Sequence, residues 1–208
     1  MLSQIVIRPM LESEAQIAAD LLAANLGEGF IGAPDLLPKT DADKSTITLV
    51  ALAGEEVVGA QLLFAGSREV ILGQVPGAIR AQVAEALPAG ARVADLELIA
   101  VSGLFAGRGI GTTLVRTALV WATQCGAEAI FALAWSDAQG PHAAKILERS
   151  DFTALATLDD AWYADSLEKG YRCPSCGWPC HCAAVLYARS LTAGVVLDEN
   201  PPTTKVSV

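Results

Sequence analysis

One stretch of this chain leaves little freedom of fold: Asp95-Leu-Glu-Leu-Ile-Ala-Val-Ser-Gly-Leu-Phe-Ala-Gly-Arg-Gly-Ile-Gly-Thr-Thr-Leu-Val115. It reads as a β-strand, a glycine-rich turn and the first turns of a helix. Gly107, Gly109 and Gly111 stand where the chain must bend tightly and leave backbone N–H groups uncovered. Uncovered N–H groups at a helix N-terminus make a phosphate site, because the donors and the helix dipole point the same way. The stretch therefore predicts a strand–turn–helix unit built around a phosphate-bearing cofactor. On its own such a turn is also ordinary structural punctuation.

Two familiar nucleotide sites fit poorly. A dinucleotide fingerprint needs G-x-G-x-x-G and an acidic residue about twenty positions on. Here the spacing is Gly107-x-Gly109-x-Gly111, and the next strand ends in Ala134-Trp135-Ser136. A P-loop ends in Gly-Lys-Ser/Thr, whereas Gly111-Thr112-Thr113 has no lysine.

The rest of the chain supplies alternating elements. Residues 4–8 read as a strand ended by Pro9. Residues 13–25 read as a helix with Ile17, Leu21 and Leu22 on one face and a capping box from Ser13 to Gln16. Residues 27–39 are a Gly- and Pro-containing loop whose Phe30, Ile31, Leu36 and Leu37 suggest a lid packed over a substrate. Residues 46–53 and 56–65 form a hairpin about Gly54. Residues 78–87 suit a helix between Pro76 and Pro88. Strand 92–101, helix 109–125 and the fully apolar strand 127–135 make a β-α-β crossover, hence a parallel pair. A helix over 141–150 and strands over 152–158 and 183–191 follow. The expected fold class is α/β, or α+β layered: a mixed, mostly antiparallel sheet flanked by helices, with one parallel β-α-β unit. Residues 1–191 are expected to form a single domain, with 173–182 a cysteine-rich loop and 192–208 a C-terminal tail.

Composition narrows the partners. Of 208 residues, 52% are hydrophobic, enough for a large core, and the formal net charge is −9. No basic stripe is present to displace counterions, so no nucleic acid is expected as partner. The acidic balance suits a cationic or amine-bearing substrate as well as plain solubility. Glu97, Arg108 and Arg116 interrupt the most apolar part, so no membrane span is expected. Met1-Leu-Ser-Gln lacks the basic start of a secretory signal, which makes the cytoplasm the default compartment.

The run Leu98-Ile-Ala-Val101, then Ala106-Gly-Arg-Gly-Ile-Gly-Thr-Thr-Leu-Val115, resembles the acetyl-CoA-binding motif of the GNAT N-acetyltransferase superfamily. Ile5-Val-Ile-Arg-Pro-Met10 is similar to that family's opening, and Ala143-Ala-Lys-Ile-Leu-Glu-Arg-Ser-Asp-Phe152 to its later helix. The resemblance spans roughly residues 4–191. It implies acetyl-CoA as cosubstrate, its pyrophosphate on the amides of Gly107, Arg108, Gly109, Ile110, Gly111 and Thr112, with Ala106 also in the cofactor site. It implies a pantetheine arm paired with Ile99, Ala100 and Val101 in a slot made by a bulged, splayed strand. Three positions depart from the family pattern: Ala106 replaces its first Arg/Gln, Leu147 its frequent Tyr, and Gly140 or His142 its usual Asn. Arg108 offers a substitute cation.

Acetyl transfer to an amine needs a base, an oxyanion donor and an acid for the thiolate. Asp95 and Glu97 are two apart on a strand and share a face, with Glu97 the preferred base and a solvated strand face the alternative. The acid is left open between Tyr163 and Tyr171, with a packing role the alternative for both, and His142 is a relay base or a surface or capping residue. By the resemblance, the Val101 or Ser102 amide is the oxyanion donor.

Cys173-Pro-Ser-Cys-Gly-Trp-Pro-Cys-His-Cys182 is the second distinctive run. Cys-Pro-x-Cys-Gly has the composition of a zinc knuckle, and in an extended Cys-x-Cys both thiols point one way. Cys173, Cys176, Cys180 and Cys182 are thus expected to bind structural zinc, with disulfides or free thiols the alternatives. The expected activity is acetyl-CoA-dependent N-acetylation of a small-molecule or peptide amine. A non-catalytic acyl-CoA-binding or metal-sensing protein is the other reading, and a homodimer stays open.

Overall fold

The computed structural model describes residues 5–39 and 43–192. Eight strands build one sheet: β1 (Ile5–Pro9), β2 (Lys44–Ala53), β3 (Glu56–Ser67), β4 (Arg92–Val101), β5 (Ala129–Asp137), β6 (Gly140–Pro141), β7 (Thr153–Leu158) and β8 (Ala183–Ser190). Their order is β1-β2-β3-β4-β5-β8-β7, with β6 on the end of β5. All neighbours are antiparallel except β4 and β5, which run parallel. The expected mixed sheet and its parallel unit are therefore present. The expected tail lies outside the described residues from 193 on, as does Gln4 of the expected first strand.

The helices are α1 (Ala15–Leu26), α2 (Ala33–Leu36), α3 (Arg68–Leu72), α4 (Arg80–Ala86), α5 (Ile110–Gln124), α6 (Ala144–Glu148) and α7 (Tyr163–Lys169). α5 crosses one face of the sheet and buries Ile110, Leu114, Val115, Ala118 and Ala122 against Leu63, Ala94, Leu96 and Ile130. α1 covers part of the other face, with Ala18, Ala19 and Leu22 against Leu62, Leu98 and Ala100.

Two expectations about α1 are corrected. Its buried face is Ala15, Ala18, Ala19 and Leu22, whereas Ile17 is 55% exposed. Ser13 does not cap the helix. The Glu14 carboxylate takes the Leu11 amide at 2.8 Å and is itself held by Arg8 of β1 at 2.6 Å, so a contact to the sheet decides the helix entry. The helix expected over 141–150 begins only at Ala144, because Gly140–Pro141 pairs with Ser136 and Asp137 first.

Candidate active site and cysteine cluster

The turn between β4 and α5 is shaped by two residues in left-handed backbone, Gly107 at φ +74° and Gly109 at φ +80°. The first amide of α5 to find a backbone acceptor is that of Thr113, which donates to Gly109 O at 3.0 Å. Among the described residues, no main-chain or side-chain acceptor takes the amides of residues 107–112. The Arg108 guanidinium lies 5.0 Å from the Phe105 ring centre.

Beside this turn the sheet opens. β4 and β5 pair only at Val93/Ala129, Ala94/Ile130 and Asp95/Phe131, then part. On its other edge β4 stays paired with β3 up to Val101, but with a register shift: Leu62 faces Leu98 and Leu63 faces Leu96, leaving Glu97 as the extra residue of a β-bulge. Ser102 donates to Val58 O at 2.9 Å. Ladder alternation then turns the main-chain groups of Ile99 and Val101 away from β3, toward the gap. Ser102, one of two expected oxyanion donors, is thus engaged, while Val101 faces the opening.

A cavity of about 500 Å³ occupies the gap. Gly107, Gly109, Gly111 and Thr112 line one end, Ile99 and Val101 its side, Asp95 and Glu97 its centre. The far end is walled by Phe30, Trp162, Asp165, Lys169 and Tyr171. Phe30 comes from the loop expected to act as a lid, and its ring meets Tyr171 edge-on at 4.8 Å.

Asp95 is 2% exposed and Glu97 half-buried, and both line the cavity. The bulge breaks the strand's alternation at Glu97, so Leu96 packs under α5 and Leu98 under α1. Burial pushes the Asp95 carboxyl well above the ordinary carboxylate range, and the neighbouring charge of Glu97 adds to this. Glu97 is also raised, first by burial. The hydrogen bond from Asp95 and the charges of Lys169 and Lys44 work the other way. The pair therefore holds a proton more tightly than ordinary carboxylates do, and Asp95 is the more strongly raised of the two.

The two tyrosines part company. Tyr163 opens α7 and packs on the His181 ring at 4.9 Å, away from the cavity lining. Tyr171 lines the cavity, with its hydroxyl donated to Trp162 O at 3.3 Å. His142 lines it too, stacked on Trp135 at 4.4 Å and bonded through Nε2 to Asp137 at 3.0 Å.

The family model for the Acetyltransferase (GNAT) family matches residues 20–152, well over half of the chain. The chain belongs to the GNAT acetyltransferase family. Solved structures agree on the fold. NAA60 of Arabidopsis thaliana, crystallised in complex with acetyl-CoA, superposes with a TM-score of 0.62 at 11% identity, over 90% of this chain and 99% of that one. The Drosophila melanogaster polyamine N-acetyltransferase, which forms N-acetylagmatine, gives 0.56 at 15%, over 90% and 100%. The IAA acetyltransferase of Bacillus cereus gives 0.57 at 16%, over 90% and 99%. No curated protein sequence matches the chain.

Within this GNAT fold the departures from the family pattern have clear positions. Ala106 lines the cavity, as does Leu147, which is fully buried and brings no hydroxyl there. The four clustered cysteines lie at the far end, and Cys173 and Cys180 themselves line the cavity. All four sulfurs are within 4.8 Å of one another. Cys173 and Cys182 are 3.7 Å apart, Cys176 and Cys180 3.7 Å, and Cys176 and Cys182 3.5 Å. A disulfide needs about 2.05 Å, so none is formed. Cys173 and Gly177 exchange both backbone hydrogen bonds, closing the knuckle, and the His181 amide donates to Cys176 Sγ at 3.4 Å.

One connection carried no sequence signal. The Ser175 hydroxyl, inside the knuckle, donates to Asp137, the partner of His142. With the Gln139 amide and His142, it holds the Asp137 carboxyl down to about 2.

Among the described residues, no helix is long and apolar enough to cross a membrane.

Proposed function

We propose that residues 1–191 form one catalytic domain that transfers an acetyl group from acetyl-CoA to an amine. The observation that carries this reading is the cavity. It runs from the unpaired amides of residues 107–112, along the free edge of Ile99 and Val101, to the Asp95–Glu97 pair. The amides of Gly107, Arg108, Gly109, Ile110, Gly111 and Thr112 hold the pyrophosphate, and Ala106, whose own amide is spent on Gly103 O at 3.3 Å, lines the site. Ile99, Ala100 and Val101 receive the pantetheine arm in sheet fashion, as β5 would have been received.

Glu97 is the base. Its raised pKa brings proton affinity nearer to neutral pH, where a general base works best. Asp95 is a positioning residue: its retained proton orients the Glu97 carboxylate and keeps it ionised. Glu97 takes one proton from the ammonium, the free amine attacks the thioester carbonyl, and the Val101 amide stabilises the oxyanion. The carbon–sulfur bond then breaks and the departing CoA thiolate takes the second nitrogen proton, leaving the neutral amide. Tyr163 has no part in this scheme, because its ring faces His181. The acceptor is a cationic small molecule or peptide amine, drawn by Glu97 and Asp165 between the rings of Phe30 and Trp162.

The four thiols suit zinc. Tetrahedral thiolates at about 2.3 Å from zinc stand ~3.8 Å apart, close to the separations found. Burial raises the Cys182 thiol to about 11 when no metal is bound, and the buried Trp135 Nε1–H, which lacks an oxygen or nitrogen partner, works the other way, as a donor to a metal-bound sulfur would. Four protein ligands make a closed, structural site. A reducing compartment such as the cytoplasm keeps such thiols available.

A thiol-release assay with acetyl-CoA and a panel of amines, agmatine included, tests the proposal. Amine-dependent CoA release supports it. Binding of acetyl-CoA without release on any amine would favour a non-catalytic acyl-CoA-binding protein, the reading to which Leu147 lends weight.

A further inference from the structure

The cysteine cluster is joined to three separate walls of the acceptor end of the cavity. The Cys180 amide donates to Ser166 Oγ at 2.9 Å, and Trp178 Nε1 donates to Ser166 O at 3.0 Å. Both grip α7, which presents Asp165 and Lys169 to the cavity. The segment entering the knuckle holds the loop after α1: Arg172 donates its amide to Glu28 O at 3.2 Å. A side chain at Gly27 would strike Arg172 O at 2.2 Å, so only glycine permits this approach. The third tie runs from Ser175 to Asp137 and so to His142.

These walls have little else to hold them. α7 has seven residues, too few to persist alone, and only Ser166 of them is buried. The small core beneath it consists of Tyr171, Cys173, Cys180 and Cys182, with Phe30, Trp135 and Trp162 packed around. Three of its four buried members are thus metal-ligand candidates. None of these ties reaches the glycine turn, whose helix packs into the main core on the opposite face of the sheet.

We infer that the metal-loaded cysteine cluster is the keystone of the acceptor wall. Bound metal holds α7, the Phe30 loop and the Asp137–His142 pair in place. Its loss dissolves that wall and leaves the acetyl-CoA half intact. The enzyme's use of acceptor would then follow zinc supply, while cosubstrate binding would not. The word acceptor here rests on the acetyltransferase reading, but the structural coupling does not.

Hydrogen exchange read by mass spectrometry tests the coupling on the full chain. The protein is compared as purified with zinc and after stripping with a chelator under thiol reductant. Exchange is expected to quicken in residues 27–31, 135–142 and 159–182 and to stay unchanged in 107–124. Cys176→Ser removes the one exposed ligand with little change in packing, and is expected to lose zinc and loosen the same segments. Cys125→Ser, outside the cluster, keeps both. Calorimetry is expected to give the same acetyl-CoA affinity for loaded and stripped protein, with agmatine acetylation lost only in the latter. Unchanged exchange at 159–182, or equal loosening everywhere, overturns the keystone. Failure of both forms to bind acetyl-CoA overturns the acetyltransferase reading and the acceptor role with it, and leaves the exchange result to judge the coupling.

Discussion

Thr113 donates its amide to Gly109 O at 3.0 Å, and Gly109 itself stands in left-handed backbone at φ +80°. That one bond starts α5, and among the described residues no acceptor takes any amide from 107 to 112.

Replacing Gly109 by alanine forces a side chain into left-handed backbone at a cost of about 1–2 kcal/mol. Relief of that strain tilts the turn and misaligns its amides. Since 1.4 kcal/mol is a factor of ten, acetyl-CoA affinity is expected to fall about tenfold in calorimetry. Gly54→Ala is the control: its φ of +67° carries similar strain in the β2–β3 hairpin. It should lower the melting temperature comparably and leave acetyl-CoA affinity unchanged.

Glu97→Gln removes the base, and kcat/KM is expected to drop by about 10²–10⁴. In the wild type, kcat/KM should rise with pH through the elevated Glu97 pKa, because only the carboxylate accepts the ammonium proton. Asp95→Ala deletes the donor that favours Glu97 ionisation, so this limb moves to higher pH. Asp95→Asn keeps a donor and should leave the profile close to wild type. An unshifted limb in Asp95→Ala would remove Asp95 as a positioning residue.

The same aspartate sets a pH dependence of stability. Its folded-state pKa lies above the unfolded value, first because of burial. The folded chain must therefore retain a proton that the unfolded chain gives up, which destabilises it as pH rises from about 3.9. Asp95→Asn is expected to melt a few degrees higher than wild type at neutral pH. The gain should vanish below the ordinary carboxylate range. A melting temperature that falls at pH 7 would contradict the protonated assignment.

Asp137 behaves in the opposite sense. Ser175 first, then the Gln139 amide and His142, hold its pKa near 2. It contributes stability that is present above the unfolded carboxylate value and lost as pH falls through about 2. In Ser175→Ala its carboxyl titration, followed by NMR, should move up toward the ordinary aspartate value.

The unit from 92 to 135 was legible because its signals are local: glycines at a turn, an apolar strand, and helical spacing at Leu114, Val115, Ala118 and Ala122. The cysteine cluster was legible for the same reason, since all four ligands fall within ten residues. What escaped depends on distant partners. α7 buries only Ser166, so it shows no apolar stripe, and it sits where the cluster holds it. The cap of α1 falls to Glu14 instead of Ser13 because Arg8 reaches over from β1. The bulge at Glu97 is a matter of register against Leu62 and Leu63. Tyr163 looked like a proton donor by residue type, but the geometry of α7 turns it to His181.

The most direct test is a calorimetric titration of the purified chain with acetyl-CoA. One binding site per chain, weakened about tenfold by Gly109→Ala and left alone by Gly54→Ala, is the predicted result. No saturable binding, or binding indifferent to Gly109→Ala, would contradict the claim that the amides of residues 107–112 grip the pyrophosphate.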